Sequence, residues 1–415
     1  MHLSKRIFYL ILFTFFLLSV HFIKKERGLQ YIHRMYSDYN FFNDLSLIED
    51  SNNDAIEIPL TLNGFTNSQI LNYLVENEPG LFSQRLIMGL NNTHSIDYIF
   101  HRLFNKELDI SFDDKGVLFL EELNKKLDYG IGGIHLSGTT IASFRDVKAL
   151  NSFILQLKEI CKIERQVKFL DSQIRLTIKP NVYFDYSMTG DGMNYKNIKN
   201  YDNRKTKNLD SNIYHINADG LFSPRVDFNK ITKKNKKMIL NKSISLSESG
   251  KILFLKHFGF RSDFISSNIK DPHIGTVVVN TPIEKFLKED IRIYDLIIKN
   301  IDNSGIMIGN HILTCFDRTK PANSSQDVLK FIGKRYNDKL ITITDSINMM
   351  SFKSNYDNNG LYDYVETDLI LMTDIYNYNV NSVLKKGNDI RLKSLKKIMM
   401  LKLLNGNIVF EKIHY

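Results

Sequence analysis

The sequence predicts an α/β fold built as a (β/α)₈ barrel, preceded by an N-terminal hydrophobic anchor helix. From about residue 65 onward, short runs of β-branched residues alternate with helix-length segments, a pattern typical of parallel strands joined by helical crossovers. Eight such runs favour a closed barrel. A doubly wound sheet is the alternative, but no Gly-x-Gly-x-x-Gly motif follows the first run. The predicted strands are Ile131–Leu136, Ile174–Ile178, Leu221–Asp227, Ile252–His257, Thr276–Asn280, Gly305–His311, Leu340–Asp345 and Asp368–Thr373.

The first 27 residues are predicted to form a membrane anchor or signal segment. Lys5 and Arg6 precede a hydrophobic run, Ile7–Ile23, whose length is near the lower limit for crossing a membrane. No Ala-x-Ala-like site ends this run, which favours an uncleaved anchor over a cleaved signal peptide. Basic residues on both sides of the run leave its orientation open. We expect a polar stalk or lead-in over residues 28–64 and a barrel domain over 65–415, held on the extracytoplasmic, periplasmic side of a membrane.

The composition indicates a globular chain of 415 residues, 43% hydrophobic and 24% charged. Two cysteines, Cys161 and Cys315, are too few for a disulfide framework or a cysteine-rich metal site. The net charge of +9 permits an anionic partner. The basic residues are scattered, however, and lack the interleaved aromatic residues of a base-stacking groove. We therefore predict no nucleic acid partner.

Polar side chains stand at the ends of three predicted strands, where a barrel of this kind places its chemistry. Lys256 and His257 follow one apolar run, His311 follows a second, and Asp345 follows a third. Each could be a capping or loop residue by itself. Three in one chain favour an active site, in which Asp345 would have to stay ionised to attack or to stabilise a cation.

A loop between predicted strands carries Asp271 and His273, separated by one proline. An Asp at this spacing could orient the imidazole and raise its basicity, which suits a proton donor and acceptor near neutral pH. The alternative is a solvent-exposed pair without a catalytic role.

Several segments resemble, in the same order, motifs of glycoside hydrolase family 3, the family of bacterial β-N-acetylhexosaminidases and β-glucosidases. The best match is residues 343–349 (ITDSINM), which resemble Val-Thr-Asp-Ala-Leu-Asn-Met. The resemblance covers about residues 80–406. The other matching segments are residues 84–89 (QRLIMG), 129–136 (YGIGGIHL), 222–227 (FSPRVD), 256–258 (KHF), 271–273 (DPH), 307–311 (MIGNH), 321–325 (PANSS), 368–372 (DLILM) and 394–402 (SLKKIMMLK).

The resemblance implies a TIM-like barrel and a retaining mechanism, in which an Asp forms a covalent glycosyl-enzyme. Asp345 matches this nucleophile, and His273 with Asp271 matches the acid/base pair of the hexosaminidase branch. The implied substrate is a terminal β-N-acetylhexosaminyl residue of cell-wall fragments or chitooligosaccharides. We expect a monomer that needs no cofactor and no metal. The implied substrate-binding residues are Lys256, His257, Asp185 and His311.

Three departures from the family motifs leave the substrate open. After Phe258 the chain reads GFRSD where the family has Pro-Gly-His-Gly-Asp. Asp185 lacks the Glu-Gly-Gly of its family counterpart, and Asp191 is a rival for the same position. No counterpart of a family arginine lies between Asp227 and Lys256. The alternative functions are therefore a glycan-binding or structural envelope protein without turnover, and a β-glucosidase.

Overall fold

A computed structural model describes residues 65, 67–90, 114–136, 147–185, 213–217, 240–301, 304–353, 367–373 and 389–413, without residues 242, 245, 249 and 338. The predicted anchor and stalk, the predicted strand Leu221–Asp227 and Asp191 lie outside these ranges. None of the helices within them is long and apolar enough to cross a membrane.

The described strands, in chain order, are β1 (Leu86–Leu90), β2 (Gly133–Leu136), β3 (Ile163–Phe169), β4 (Ser172–Ile178), β5 (Asn181–Asp185), β6 (Ile213–Asn217), β7 (Ile252–Phe258), β8 (Val278–Val279), β9 (Ser304–Ile308), β10 (Ile312–Leu313), β11 (Ile341–Thr344), β12 (Ile370–Met372) and β13 (Ile408–Lys412). The described α-helices are α1 (Asn67–Asn77), α2 (Asp114–Lys126), α3 (Val147–Ile160), α4 (Ile283–Lys285), α5 (Ile291–Ile298), α6 (Gln326–Arg335), α7 (Met350–Lys353) and α8 (Asp389–Leu404). A π-helical turn, Phe286–Asp290, joins α4 to α5, and 3₁₀-helices cover Pro79–Arg85, Ser262–Phe264 and Ala322–Ser324.

Eight strands form a parallel sheet in the order β11-β9-β7-β6-β5-β2-β1-β12. The two end strands meet through a parallel bridge between Ile343 and Leu369, and the Leu369 amide donates to the Thr342 carbonyl at 2.8 Å. These contacts bring the sheet round into a barrel. The predicted eight-stranded parallel barrel is therefore confirmed.

Side chains of the barrel strands alternate between an inner and an outer apolar cluster. Ile87, Tyr183 and Phe254 belong to the inner cluster, whereas Leu86 and Met88 pack in the outer one, which includes residues of α3, α5 and α6. Strands buried on both faces read as continuous apolar runs. This double burial is the reason that β7, β9, β11 and β12 were recognisable in the sequence.

Two predicted barrel strands lie elsewhere. The run Ile174–Ile178 belongs to β4, which pairs antiparallel with β3 and β13 in a separate three-stranded sheet. Within the run Thr276–Asn280, only β8 is a strand, and it pairs with β10. Three of the eight barrel positions are held by β1, β5 and β6, which were not predicted as strands.

The three-stranded sheet packs with α1 and α8 in an apolar cluster of its own. It lies at the amino end of the barrel strands, where Asn407 Nδ2 donates to Oδ1 of Asn181, the first residue of β5, at 2.7 Å. Ile398 and Leu401 of α8 belong to the same cluster as the inner barrel side chains. The amino end is thus covered by apolar packing, and the polar residues singled out in the sequence lie at the carboxyl end.

Candidate active site

Asp345 directly follows β11 and is 7% exposed. Its backbone amide donates to the carbonyl of Ile308, the last residue of β9, at 2.8 Å. The Ser346 amide donates to Asp345 Oδ1 at 2.8 Å. Both strand ends therefore fix this residue, and a backbone N–H stabilises one oxygen of its carboxylate.

His257, on β7, faces the same carboxylate. Its Nε2 atom lies 3.7 Å from Asp345 Oδ2, and its side chain is 28% exposed. The peptide bond between Lys256 and His257 is cis, and the pairing of β7 with β9 shifts register between Leu255 and Phe258. Register shifts within a strand pair are common beside active sites because they re-aim a side chain. Lys256, two residues after the inward-facing Phe254, is 4% exposed.

His311 is a neighbour of His257, but its side chain is buried. Burial lowers the pKa of its imidazole to about 3, the neighbouring His257 acts in the same direction, and a hydrogen bond with the Gly259 backbone opposes both. The ring packs edge-on against Phe260, with centroids 5.3 Å apart. Its Nε2 atom has no hydrogen-bond partner among the described residues. His311 is therefore a neutral group that shapes the wall of the site.

The Asp271–His273 pair has the geometry predicted for it. Asp271 Oδ1 lies 2.8 Å from His273 Nδ1 and also accepts from the His273 amide at 2.9 Å. Burial works against ionisation, but these hydrogen bonds prevail and lower the pKa of the Asp271 carboxyl. A carboxylate on Nδ1 holds the proton there and leaves Nε2 as the ring nitrogen that can exchange a proton. The His273 side chain is 67% exposed.

The loop that carries this pair is hydrogen-bonded to the helix that follows the candidate nucleophile. The Met350 amide donates to the His273 carbonyl at 3.4 Å, and the Ser351 amide donates to the Pro272 carbonyl at 3.0 Å. Both donors belong to α7, which begins five residues after Asp345. The fold thus joins the loop of the pair to the segment that follows Asp345.

Asp185 is the last residue of β5, at the same end of the barrel, and pairs in register with His215 of β6. Its side chain lies outside the described part of the structure, so that its role in sugar binding stays a prediction.

Sequence reasoning missed an ion cluster around the buried Arg261, in the loop that follows β7. The guanidinium of Arg261, 1% exposed, donates to both oxygens of Asp263 at 2.8 Å, to Glu289 at 2.9 Å and to Asp290 at 2.6 Å. Burial raises the pKa of Asp290 to about 7, although Arg261 acts in the opposite direction. This cluster ties the loop that follows β7 to the π-helical turn before α5. The departure from the family loop, GFRSD, was the only signal for it in the sequence.

Sequence reasoning also missed the buried polar contacts around Asn310. Its side chain donates to the Ser346 carbonyl at 2.6 Å. The Ser346 hydroxyl in turn lies 2.5 Å from that of Thr373, at the end of β12. Within the described ranges, no group of three or more His, Cys, Asp or Glu side chains is placed to hold a metal ion.

The sequence matches no family model and no curated protein. Solved structures do match. A glycoside hydrolase family 3 β-N-acetylglucosaminidase from Paenibacillus sp. str. FPU-7 superposes with a TM-score of 0.57 at 13% identity, over 80% of this chain and 63% of that one. M tuberculosis LpqI superposes with a TM-score of 0.54 at 13% identity, over 80% and 96%. The β-glucoside phosphorylase BglX gives 0.56 at 11% identity, over 84% and 63%.

This chain has the fold of family 3 glycoside hydrolases. The resemblance seen in the motifs is thereby confirmed at the level of the fold. The chain spans 63% of the Paenibacillus protein and 96% of LpqI. At the carboxyl end of this barrel, Asp345 is a buried carboxylate, the His257 imidazole faces it, and α7 holds the loop of the Asp271–His273 pair.

Proposed function

We propose that the chain is a divergent family 3 glycoside hydrolase that removes terminal β-N-acetylglucosaminyl residues with retention of configuration. One observation carries this proposal. A buried carboxylate, Asp345, ends a barrel strand, and α7, only five residues further on, holds the loop of a hydrogen-bonded Asp271–His273 pair. These are the two partners that a retaining hydrolase needs, a nucleophile and a proton donor.

In the first step, Asp345 attacks the anomeric carbon and forms a covalent ester with the sugar. The bond to the leaving oxygen breaks, and His273 Nε2 gives that oxygen its proton. In the second step, the neutral imidazole takes a proton from water, the hydroxide attacks the ester, and the Asp345 carboxylate is released. Asp271 stabilises the imidazolium and keeps the ring oriented through Nδ1.

Three further side chains are proposed to bind the sugar. Lys256 and His257 lie on β7 at the mouth of the barrel and would donate to sugar hydroxyls. Asp185, at the end of β5, would accept from them. We infer that N-acetylglucosaminides from cell-wall fragments or chitooligosaccharides are the substrates, because the Paenibacillus neighbour is named a β-N-acetylglucosaminidase.

The proposed setting is a monomer held by residues 1–27 at the extracytoplasmic face of a membrane. The basic and hydrophobic pattern of those residues supports the anchor, and the polar composition of residues 28–64 supports a stalk between anchor and barrel.

Two other functions have observations in their favour. The likeness to the β-glucoside phosphorylase BglX favours a β-glucoside as substrate. The loop after β7 lacks the Gly-rich sequence of the family and is held instead by the ion pairs of Arg261. This replacement favours a barrel that binds glycans without turnover.

The discriminating experiment measures hydrolysis of nitrophenyl β-N-acetylglucosaminide and of the matching glucoside by the full chain in mild detergent. The wild type is expected to prefer the first substrate, and Asp345→Asn should lose at least about 10³-fold in kcat because it removes the nucleophile. Asp327→Asn, an exposed Asp in the first turn of α6, serves as the matched control. A preference for the glucoside would establish the β-glucosidase alternative. No turnover of either substrate by folded protein would contradict the proposal.

A further inference from the structure

Asn310 lies two residues after β9 and is 1% exposed. Its side-chain amide forms hydrogen bonds with two other segments of the chain. Its Nδ2 atom donates to the carbonyl of Ser346 at 2.6 Å, and Ser346 in turn holds Asp345 Oδ1 through its amide. Its Oδ1 atom accepts from Asn323 Nδ2 at 2.6 Å. Asn323 is itself fully buried. The turn that presents the candidate nucleophile is thus fixed to a rigid, buried amide pair.

The backbone of the same residue holds the other half of the site. The Ser351 hydroxyl donates to the Asn310 carbonyl at 2.6 Å, and Ser351 is fully buried. The Ser351 amide donates to the carbonyl of Pro272, between the two members of the Asp–His pair. Asn310 is therefore bonded, through one intermediate residue on each side, both to the candidate nucleophile and to the loop of the candidate acid/base.

We infer that Asn310 is a positioning residue that sets the distance between the nucleophile Asp345 and the acid/base loop. The inference rests on the proposed function and deepens it, since it assigns the geometry of the site to a residue that touches neither substrate nor reacting atoms. A retaining mechanism tolerates little change in this distance, because both groups act on the same glycosidic bond.

Asparagine suits this role for a physical reason. The Ser346 carbonyl and the Asn323 amide are both buried, one needing a donor and the other an acceptor, and a primary amide supplies one of each. An apolar residue here would leave the Asn323 amide without this acceptor and the Ser346 carbonyl with only the longer hydrogen bond from the Met349 amide, at 3.2 Å, a cost that the turn would relieve by moving.

The kinetic test separates the two halves of this network. Asn310→Ala removes the bonds to Ser346 and Asn323, and should lower kcat/KM about tenfold or more for both nitrophenyl and alkyl β-N-acetylglucosaminides. Ser351→Ala removes the hydroxyl that donates to the Asn310 carbonyl, and with it the bond between Asn310 and the helix that holds the acid/base loop. It should lower kcat/KM about fivefold for the alkyl glycoside, which needs protonation, and less than about twofold for the nitrophenyl one.

Asn407→Ala is the matched control, because it breaks a buried Asn–Asn hydrogen bond of 2.7 Å at the opposite end of the barrel. It should lower the melting temperature without any dependence on the leaving group. Equal losses in kcat/KM for both substrates in Ser351→Ala would overturn the inference, because a purely structural role predicts that result.

Hydrogen–deuterium exchange tests the same inference without any assay of turnover. In Asn310→Ala, amide exchange across residues 346–353 should accelerate by about tenfold. In Ser351→Ala, which breaks the bond to the Asn310 carbonyl, exchange across residues 266–275 should accelerate to a similar extent, and in Asn407→Ala neither segment should change. Exchange in Asn310→Ala or in Ser351→Ala that equals exchange in Asn407→Ala would overturn it. If the wild type hydrolyses no glycoside, the proposed function fails, and the exchange result still decides whether Asn310 couples the two segments.

Discussion

The Nε2 atom of His257 lies 3.7 Å from Oδ2 of Asp345, although β9 separates their strands in the barrel. This distance is longer than a direct hydrogen bond, and it places the imidazole next to the carboxylate at the mouth of the barrel. A sugar bound to Asp345 would therefore lie in contact with the imidazole of His257.

His257→Ala is expected to lower kcat/KM for aryl β-N-acetylglucosaminides about 10–100-fold, because it removes a donor to the sugar and the imidazole that faces Asp345. The side chain is 28% exposed and carries little of the core, so the melting temperature should change by only a few degrees. Steady-state kinetics and thermal unfolding check both points. An unchanged kcat/KM would remove His257 from the site.

His273→Ala should depend on the leaving group. The value of kcat/KM reports the first step, and it should fall about 10²–10⁴-fold for an alkyl glycoside but only a few-fold for a nitrophenyl glycoside, whose leaving group needs little protonation. Asp271→Asn keeps an acceptor for Nδ1 and loses its charge, so it should give an intermediate loss of the same kind. Equal losses on both substrates in His273→Ala would contradict an acid role.

Asp290 should make stability depend on pH. Its pKa is raised to about 7 in the folded protein, because burial disfavours the charged carboxylate. Glu289 and Asp263 act in the same direction, and Arg261 opposes them. The folded state therefore binds a proton that the unfolded state releases above about pH 4, and this stabilisation is lost as the pH rises through about 7.

Asp290→Asn mimics the protonated form and keeps an acceptor for Arg261. The quantity to compare is the free energy of unfolding of the variant minus that of the wild type. This difference should be greater at about pH 8 than at about pH 5, by on the order of 2 kcal/mol. Urea unfolding at both pH values measures this difference. Glu289→Gln, at the more exposed edge of the cluster, is the control and should show a smaller one. The same difference from wild type at both pH values would contradict the account.

Gly132→Ala should destabilise the barrel strongly. A Cβ atom at this position would lie 1.8 Å from the carbonyl oxygen of Gln84, a backbone atom that cannot move aside. We expect a loss of about 3 kcal/mol in the free energy of unfolding. Gly275→Ala is the matched control, since its Cβ would meet only the flexible end of Ile269, and it should cost less than about 1 kcal/mol. Similar losses in both variants would contradict the close approach of Gly132 to Gln84.

The barrel could be predicted where its strands are apolar on both faces. Residues 252–255 (ILFL) and 341–344 are buried throughout and read as strands in the sequence. β6 (IYHIN) was not predicted as a strand because two of its five residues, His215 and Asn217, are polar, and the ring of His215 packs inside the barrel 5.3 Å from that of His135. Polar residues within the barrel break the apolar run that marks a strand.

β4 was placed in the barrel because its β-branched composition resembles that of a barrel strand. Its burial alternates along the strand, as in a sheet that faces solvent on one side. The candidate catalytic residues were predictable because each belongs to a motif of local sequence. The Asn310 network was not, because its four bonds join segments from three regions of the chain, and only the fold makes them neighbours.

The central claim is that Asp345 forms a covalent bond to the sugar, and trapping that intermediate tests it most directly. The full chain is incubated with a fluorinated N-acetylglucosaminyl fluoride, in which the ring fluorine slows the second step, and is then digested with trypsin. The account predicts the mass of one sugar added to the peptide of residues 340–353, with fragmentation placing it on Asp345. A sugar attached to any other residue, or turnover of the reagent with inversion and no labelled peptide, would contradict it.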